Sequence, residues 1–413
     1  MTHIRRFTLR ESFEPFALPL TEAQLHALKT SQLVKVVSAG SEAVLQSNGR
    51  VGAVRVGDLQ IEVWPKQKVK LSHLIFMLGY ATDPGFRSDV VEAEEYDELW
   101  PLLAESLARQ TEQALLAGVL QGYETKEESS LVVRGRIRVV DQLRQHPGHI
   151  WPIEISYDEY MADIPENRIV RTALRRMRAV PRLNPALASR LAHLDNRLDG
   201  VSVLRPGLRL PSWRPSRMNA RYVSALRLAE LVLRNMSAQV GDDGVEIASF
   251  VVEMWRVFED FVTAALREAI AAHGRRAESQ REWLFDTDRT DNRARIAMSI
   301  DLLEYDGQRP VMVYDAKYKA ASNTGRYANA DLYQMLAYCT TVGLERAVLV
   351  YAQGGDPVDR RVMNSAVTIR EWPLDLSASP DEMLRSMWRA VAGASQPLAR
   401  VSASRNETGF THA

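Results

Sequence analysis

Residues 296–319 read IAMSIDLLEYDGQRPVMVYDAKYK, and 331–338 follow with DLYQMLAY. The first stretch predicts a hairpin. Ile296 to Leu303 is rich in apolar and strand-tolerant residues, Tyr305-Asp306-Gly307-Gln308 supplies the turn, and Val311 to Tyr314 is a second apolar run. Strand side chains alternate with period two, so Asp315 and Lys317 share a face. A pairing that brings Asp301 beside Asp315 gathers two carboxylates and one ammonium at one point. That set suits a hard, oxygen-liganded cation such as Mg²⁺, next to a group that orients water or neutralises phosphate. A solvated strand edge is the alternative reading.

The pattern of Asp301, thirteen residues, then Asp315-Ala316-Lys317 resembles the PD-(D/E)xK nuclease signature. Asp315 follows four apolar residues, where a buried strand emerges. The following helix carries Gln334 and Tyr338, similar to the QxxxY element of many members. Ile300 stands where the signature has proline. The resemblance implies that Asp301, Asp315, Lys317 and Gln334 serve catalysis. It also implies a further acid on the preceding helix, for which Glu259 is the candidate; the alternative is a partly buried charge paired with Arg256.

The chain has 413 residues, enough for two or three domains, with 46% hydrophobic and 25% charged residues. Its 52 basic and 52 acidic residues balance, so any nucleic-acid surface must be local. Only 8 of the basic residues are lysines. Arginine is the default cation here, and a lysine at 317 is the more telling for it. Cys339 is the single cysteine, which rules out an internal disulfide and a cysteine zinc site and fits a reducing cytoplasm. The opening MTHIRRFTLRESFEPF has no apolar core of a leader, and no run of about 18 apolar residues predicts a membrane span.

The expected architecture is α+β and multidomain. Residues 1–95 form a β-rich domain, 96–245 a mainly helical middle region, 246–395 an α/β nuclease domain and 396–413 a disordered tail. Near the front, QLVKVVSA, EAVLQS, GAVRVG and LQIEVWPK are short strands split by turns, and Asn48-Gly49 is a tight-hairpin signal. Lys66, Lys68 and Lys70 cluster, as either a phosphate or acidic-partner contact or a solvated edge. One helix is expected over 96–122 and a polar loop over 124–130. Arg134, Arg136 and Arg138 alternate with apolar residues and would share a strand face, as a phosphate stripe or a solvated one. His146 and His149 lie in a turn sequence, read as surface rather than a metal pair. Asp163-Ile164-Pro165 starts a helix, others cover 184–197 and 219–236, and the proline- and arginine-rich stretch between these last two reads as a connecting loop. Phe250 to Ala265 is read as one helical face.

Several blocks together resemble McrC, the nuclease subunit of McrBC modification-dependent restriction systems: GAVRVGDLQIEVWPK, VRGRI at 133–137, YDEYMADIPENRIVRTAL at 157–174, MNARY at 218–222, FEDF at 258–261, VYDAKYK at 313–319 and DLYQMLAY. The resemblance implies an McrB-like AAA+ GTPase ring as partner, entered by the N-terminal region. It also implies Mg²⁺-dependent cutting of double-stranded foreign DNA by the C-terminal domain. Independently, no G-x-x-x-x-G-K-[ST] occurs, so nucleotide-driven motion must come from a partner. The rivals are an inactive nuclease fold that only activates a motor, a stand-alone DNA nuclease, and a module that reads modified bases.

Overall fold

The structure, a computed structural model, describes residues 4–39, 42–65, 69–86, 98–181, 183–240, 246–286, 296–318, 328–352 and 355–394. The chain forms two compact units: Met1–Ala264 with Leu376–Asp381, and Ala265–Asp375 with Glu382–Ala413. These units divide the chain elsewhere than at the expected boundaries of 95 and 245. The front strands and the middle helices share one unit, and residues 246–264 belong with them.

In the first unit, β1 (Arg5–Arg10), β5 (Arg50–Val56), β6 (Leu59–Trp64), β10 (Met236–Val240) and β11 (Glu246–Glu253) form a sheet ordered β1-β6-β5-β11-β10. Central β5 is buried along six of its seven residues, which explains its unbroken VGAV run. Its one buried charge, Arg55, donates to Gln60 Oε1 at 2.5 Å and to the Pro181 carbonyl at 2.6 Å, so burying it leaves the guanidinium hydrogen-bonded. Gly52 is obligatory here: at φ 140° a Cβ would fall 1.9 Å from the Phe250 carbonyl oxygen. A smaller sheet joins β2 (Phe16–Leu18), β3 (Val34–Ala39) and β4 (Glu42–Ser47) in the order β2-β4-β3.

Two local readings fail for tertiary reasons. Asn48-Gly49 joins β4 to β5, which lie in different sheets, so it turns the chain between sheets rather than closing a hairpin. Phe250 is a strand residue of β11, and α8 (Met254–Ala272) begins only after it. The apolar run SFVV fits either period over so short a window.

Helices α1 (Glu22–Ser31), α2 (Leu71–Thr82), α3 (Leu99–Leu115), α5 (Pro165–Arg178), α6 (Pro185–Arg197) and α7 (Val223–Asn235) complete most of this unit. Thr21 and Gln24 form a capping box on α1. Pro165 stands in the first turn of α5, as expected, and Ile169, Ala173 and Met177 are wholly buried. Buried Asp195 of α6 holds three arginines of α5: Arg171 Nε at 3.0 Å, Arg175 Nε at 3.1 Å and Arg178 Nη1 at 2.6 Å. Asp195→Ala leaves the buried Arg171 guanidinium with only the exposed Asp199 as counter-charge. The expected cost is about 3–5 kcal/mol in urea unfolding, and a cost below about 1 kcal/mol would contradict this reading.

The middle of the chain also holds an arm that hydrophobic patterning missed. β7 (Gly122–Ser130), β8 (Arg136–Ile137) and β9 (Ile153–Met161) form a sheet ordered β7-β9-β8, with α4 (Val139–Gln145) between β8 and β9. The expected polar loop at 124–130 is strand β7, paired with β9 over nine residues. Its side chains are mostly solvated, so no apolar alternation marked it. The expected arginine stripe dissolves as well. Arg138 precedes α4 and pairs with Glu127 and Asp141, while Arg134 lies 3.7 Å over the Tyr157 ring. His146 meets Glu154 at 3.2 Å, and His149 is exposed.

The second unit is built on a six-stranded sheet. Its strands are β12 (Arg276–Leu284), β13 (Ala297–Asp306), β14 (Arg309–Lys317), β15 (Arg346–Tyr351), β16 (Val358–Arg361) and β17 (Thr368–Pro373), ordered β12-β13-β14-β15-β17-β16. The expected hairpin is β13–β14, closed by Gly307 at φ 60°. β14, β15 and β17 run parallel, with α9 (Ala328–Val342) crossing from β14 to β15. Met335, Tyr338 and Cys339 of α9 share one buried core with Leu303, Val313 and Leu349 of the sheet. α10 (Pro380–Ala394) closes the chain as expected. Lys66, Lys68 and the tail 396–413 lie outside the described residues. Among the described residues no helix is long and apolar enough to cross a membrane.

Candidate functional site

The β13–β14 pairing runs Tyr305 with Pro310, Leu303 with Val313 and Leu302 with Tyr314, and it stops there. The next step of that register would set Asp301 opposite Asp315. β13 continues to pair with β12 down to Ala297, and β14 continues with β15 to Lys317. The two strands therefore part at the level of the two carboxylates. Lys317 O accepts from Ala352 N at 3.3 Å, on the β15 side. Alternation along β14 turns the Ala316 carbonyl to the opened β13 side. A hairpin that pairs and then parts brings acids together while freeing main-chain oxygens beside them.

Asp301, Asp315 and Lys317 share the sheet face covered by α9, as period two predicts. Lys317 Nζ donates to Asp315 Oδ1 at 3.0 Å and lies 2.7 Å from Oδ2. The second contact is an ion pair without hydrogen-bond geometry, so buried Oδ2 has no donor among the described residues. Asp315 is 2% exposed, whereas Asp301 is half-buried. Burial pushes the Asp315 carboxyl well above the usual carboxylate range, and the neighbouring Asp301 charge raises it further; Lys317 acts against both.

The expected Gln334 lies on α9, but its amide reaches neither carboxylate. It donates to the Tyr338 hydroxyl at 2.6 Å, and that hydroxyl donates to the Ser299 carbonyl at 2.7 Å. This chain ties α9 to β13 two residues from Asp301. Burial raises the Tyr338 phenol, the Gln334 bond lowers it, and the Asp315 and Asp301 charges raise it again. Tyr338→Phe deletes both bonds. We expect about 1 kcal/mol lost in stability and about a tenfold loss in any reaction that depends on Asp301 placement; unchanged turnover with an intact fold would remove Tyr338 from this role.

Two groups went unread in the sequence. Tyr351 pairs across from Lys317, and its hydroxyl lies 3.4 Å from Oδ2 of buried Asp331. Asp331 stands in the quoted DLYQ block, but only the parallel β14–β15 pairing brings it near the site. Glu259 lies half-buried on the part of α8 that belongs to the first unit, and it has a partner of its own.

Among the described residues no group of three or more His, Cys, Asp and Glu side chains could hold a metal. Asp301 and Asp315 are two. Mg²⁺ is commonly held by one or two carboxylates with waters and substrate oxygens filling the octahedron, so two are sufficient. The buried Oδ2 without a donor, and an Asp315 carboxyl raised by burial and then by the neighbouring Asp301 charge, are what a divalent cation relieves. The residues present fit Mg²⁺.

A family described as McrBC 5-methylcytosine restriction system component matches residues 45–352. The chain belongs to this McrBC family. Its structure resembles a chain in the half-complex from the tetradecameric assembly of Thermococcus gammatolerans McrB AAA+ hexamers with bound McrC. The TM-score is 0.55 at 15% identity, covering 94% of this chain and 99% of that one. A second match, in the Thermococcus gammatolerans McrBC complex, has a TM-score of 0.41 at 16% identity and covers 64% and 88%. No curated protein matches the chain. The McrBC membership bears out the McrC-like reading of the sequence blocks, and the likeness over nearly the whole chain bears out the α+β multidomain fold.

Proposed function

We propose that this McrBC-family chain is the Mg²⁺-dependent endonuclease subunit of a GTP-driven restriction complex that cuts modified foreign DNA and stimulates an McrB-like AAA+ GTPase ring. The observation that carries it is the parting of β13 and β14 at Asp301 and Asp315, with Lys317 against the buried carboxylate. A bound Mg²⁺ supplies polarisation of the scissile phosphate and a more acidic water. Asp301 and Asp315 hold it, with the Ala316 carbonyl beside them. Lys317, 21% exposed at the side chain, faces Asp315 and the solvent. It orients the attacking water or stabilises negative charge growing on the phosphate. Gln334 and Tyr338 fix the Asp301 strand.

The arm supports the partner role. Leu131, Val132, Val140 and Ile150 are each at least 70% exposed, and α4 buries no residue. A short helix with an uncovered apolar face is not stable on propensity alone, and exposed apolar clusters mark interaction sites. The McrB hexamers of the similar assembly bind McrC; the same kind of ring is the partner proposed here, met through residues 122–161 rather than 1–95.

The rivals separate in one assay. Plasmid DNA carrying methylated cytosines is incubated with the chain, Mg²⁺, and an McrB-like ring with or without GTP. Cutting that needs all components is the expected result. Cutting by the chain alone favours a stand-alone nuclease. GTPase stimulation without any cutting favours a pure activator.

A further inference from the structure

Between Asp199 and Glu230 the sequence has no acidic residue and six arginines, at 205, 209, 214, 217, 221 and 227. In a chain of zero net charge this is a strong local excess. Residues 202–218 form an extended strap between α6 and the turn leading into α7. Arg205, Arg209, Arg214 and Arg217 are exposed, and their guanidinium groups make no hydrogen bond or ion pair among the described residues. Arginines of the neighbouring helices behave otherwise: Arg171, Arg175, Arg178, Arg190 and Arg227 are all paired with acids.

The strap's backbone is pinned while its charges stay outside. Ser202 N and Oγ donate to the two Asp163 carboxylate oxygens at 2.8 and 2.7 Å. Leu204 N donates to Thr172 Oγ1 at 3.0 Å, and Trp213 Nε1 donates to Glu230 at 3.0 Å. Buried Asn219 accepts from Ser216 N at 2.8 Å and donates to the Arg214 carbonyl at 2.9 Å. Pro206, Pro211 and Pro215 restrict the chain further. A merely tolerated loop needs none of these anchors, whereas a row of cations held in advance lowers the ordering cost of meeting a polyanion.

We propose that this strap is a sequence-independent docking surface for the phosphate backbone of duplex DNA. Four exposed guanidinium groups without acids among them suit phosphate oxygens, and they carry no base-reading geometry. The inference deepens the nuclease reading by giving the first unit its own hold on DNA.

The test is fluorescence anisotropy of a labelled duplex with the full chain, in EDTA so that nothing is cut. The variant R205Q/R209Q/R214Q/R217Q changes only exposed groups, and its melting temperature checks the fold. Each phosphate contact contributes about −0.9 to the slope of log affinity against log salt. The variant should flatten that slope by about 3–4 and weaken binding by about 10²-fold near physiological salt. The four-lysine variant should keep most of the affinity. An affinity and slope within about twofold of the parent's overturn the proposal, as does a parent chain that does not bind duplex at all. Reduced stimulation of the partner GTPase with DNA binding unchanged also overturns it and assigns the strap to a protein. Since binding is read without metal, a failed nuclease reading leaves this measurement intact.

Discussion

Asp315→Asn abolishes DNA cutting, with an expected loss of at least about 10³-fold in single-turnover rate. Asparagine keeps the size of the side chain and an acceptor for Lys317, so packing in β14 survives. What disappears is the negative charge on the one deeply buried acid of the site. Asp315 Oδ2 is buried without a hydrogen-bond donor, and amide chemistry there gives a cation far less. Each factor of ten in rate is about 1.4 kcal/mol, so the loss requires only a few kcal/mol of differential stabilisation. That is within what a Lewis acid beside a phosphodiester supplies. The decisive pairing is cleavage by gel with GTP turnover of the ring. Cutting should vanish while stimulation stays, because Asp315 belongs to the second unit and the arm to the first. Cutting within about tenfold of the parent's would remove Asp315 from the chemistry.

A second large effect is on pH. Burial and the Asp301 charge push the Asp315 carboxyl up to about 8. The metal-free fold therefore holds a proton that the unfolded chain releases at ordinary carboxylate pH. The direction follows: that stabilisation of the protonated fold is full at acid pH and is lost as pH rises toward the folded value. Cation binding needs the ionised form and expels the proton. Apparent Mg²⁺ affinity should thus rise about tenfold per pH unit up to that value and then level off. Titration calorimetry in buffers of different ionisation heat should count about one proton released per ion near neutral pH. Asp315→Asn should weaken binding and remove the slope. An affinity flat between about pH 6 and about pH 8 would refute the coupling.

The residues of the candidate site are legible in the sequence, and the reason is local. Apolar runs on either side of Asp306-Gly307 announce β13 and β14, and the period of two puts Asp315 and Lys317 on one face. Gln334 and Tyr338 are legible as neighbours one helical turn apart, but their task is not. The hydrogen bond from the Tyr338 hydroxyl to the Ser299 carbonyl depends on how α9 crosses the sheet. Strand β7 stays hidden because it buries almost nothing. Asn48-Gly49 misleads because turn chemistry fixes a reversal of the chain, not which sheet each arm then joins.

By itself the sequence determined the family, the hairpin and its acids, the lack of a G-x-x-x-x-G-K-[ST] run in these 413 residues, and the arginine-rich run that holds no acid. These are matters of residue type and spacing along the chain, set by short-range sterics. Tertiary structure alone decided where the pairing of β13 and β14 ends, how deeply Asp315 is buried, that β11 joins the front sheet, and which arginines remain unpaired. Pairing, burial and charge neutralisation are settled by residues tens to hundreds of positions away, and no window along the chain contains both partners.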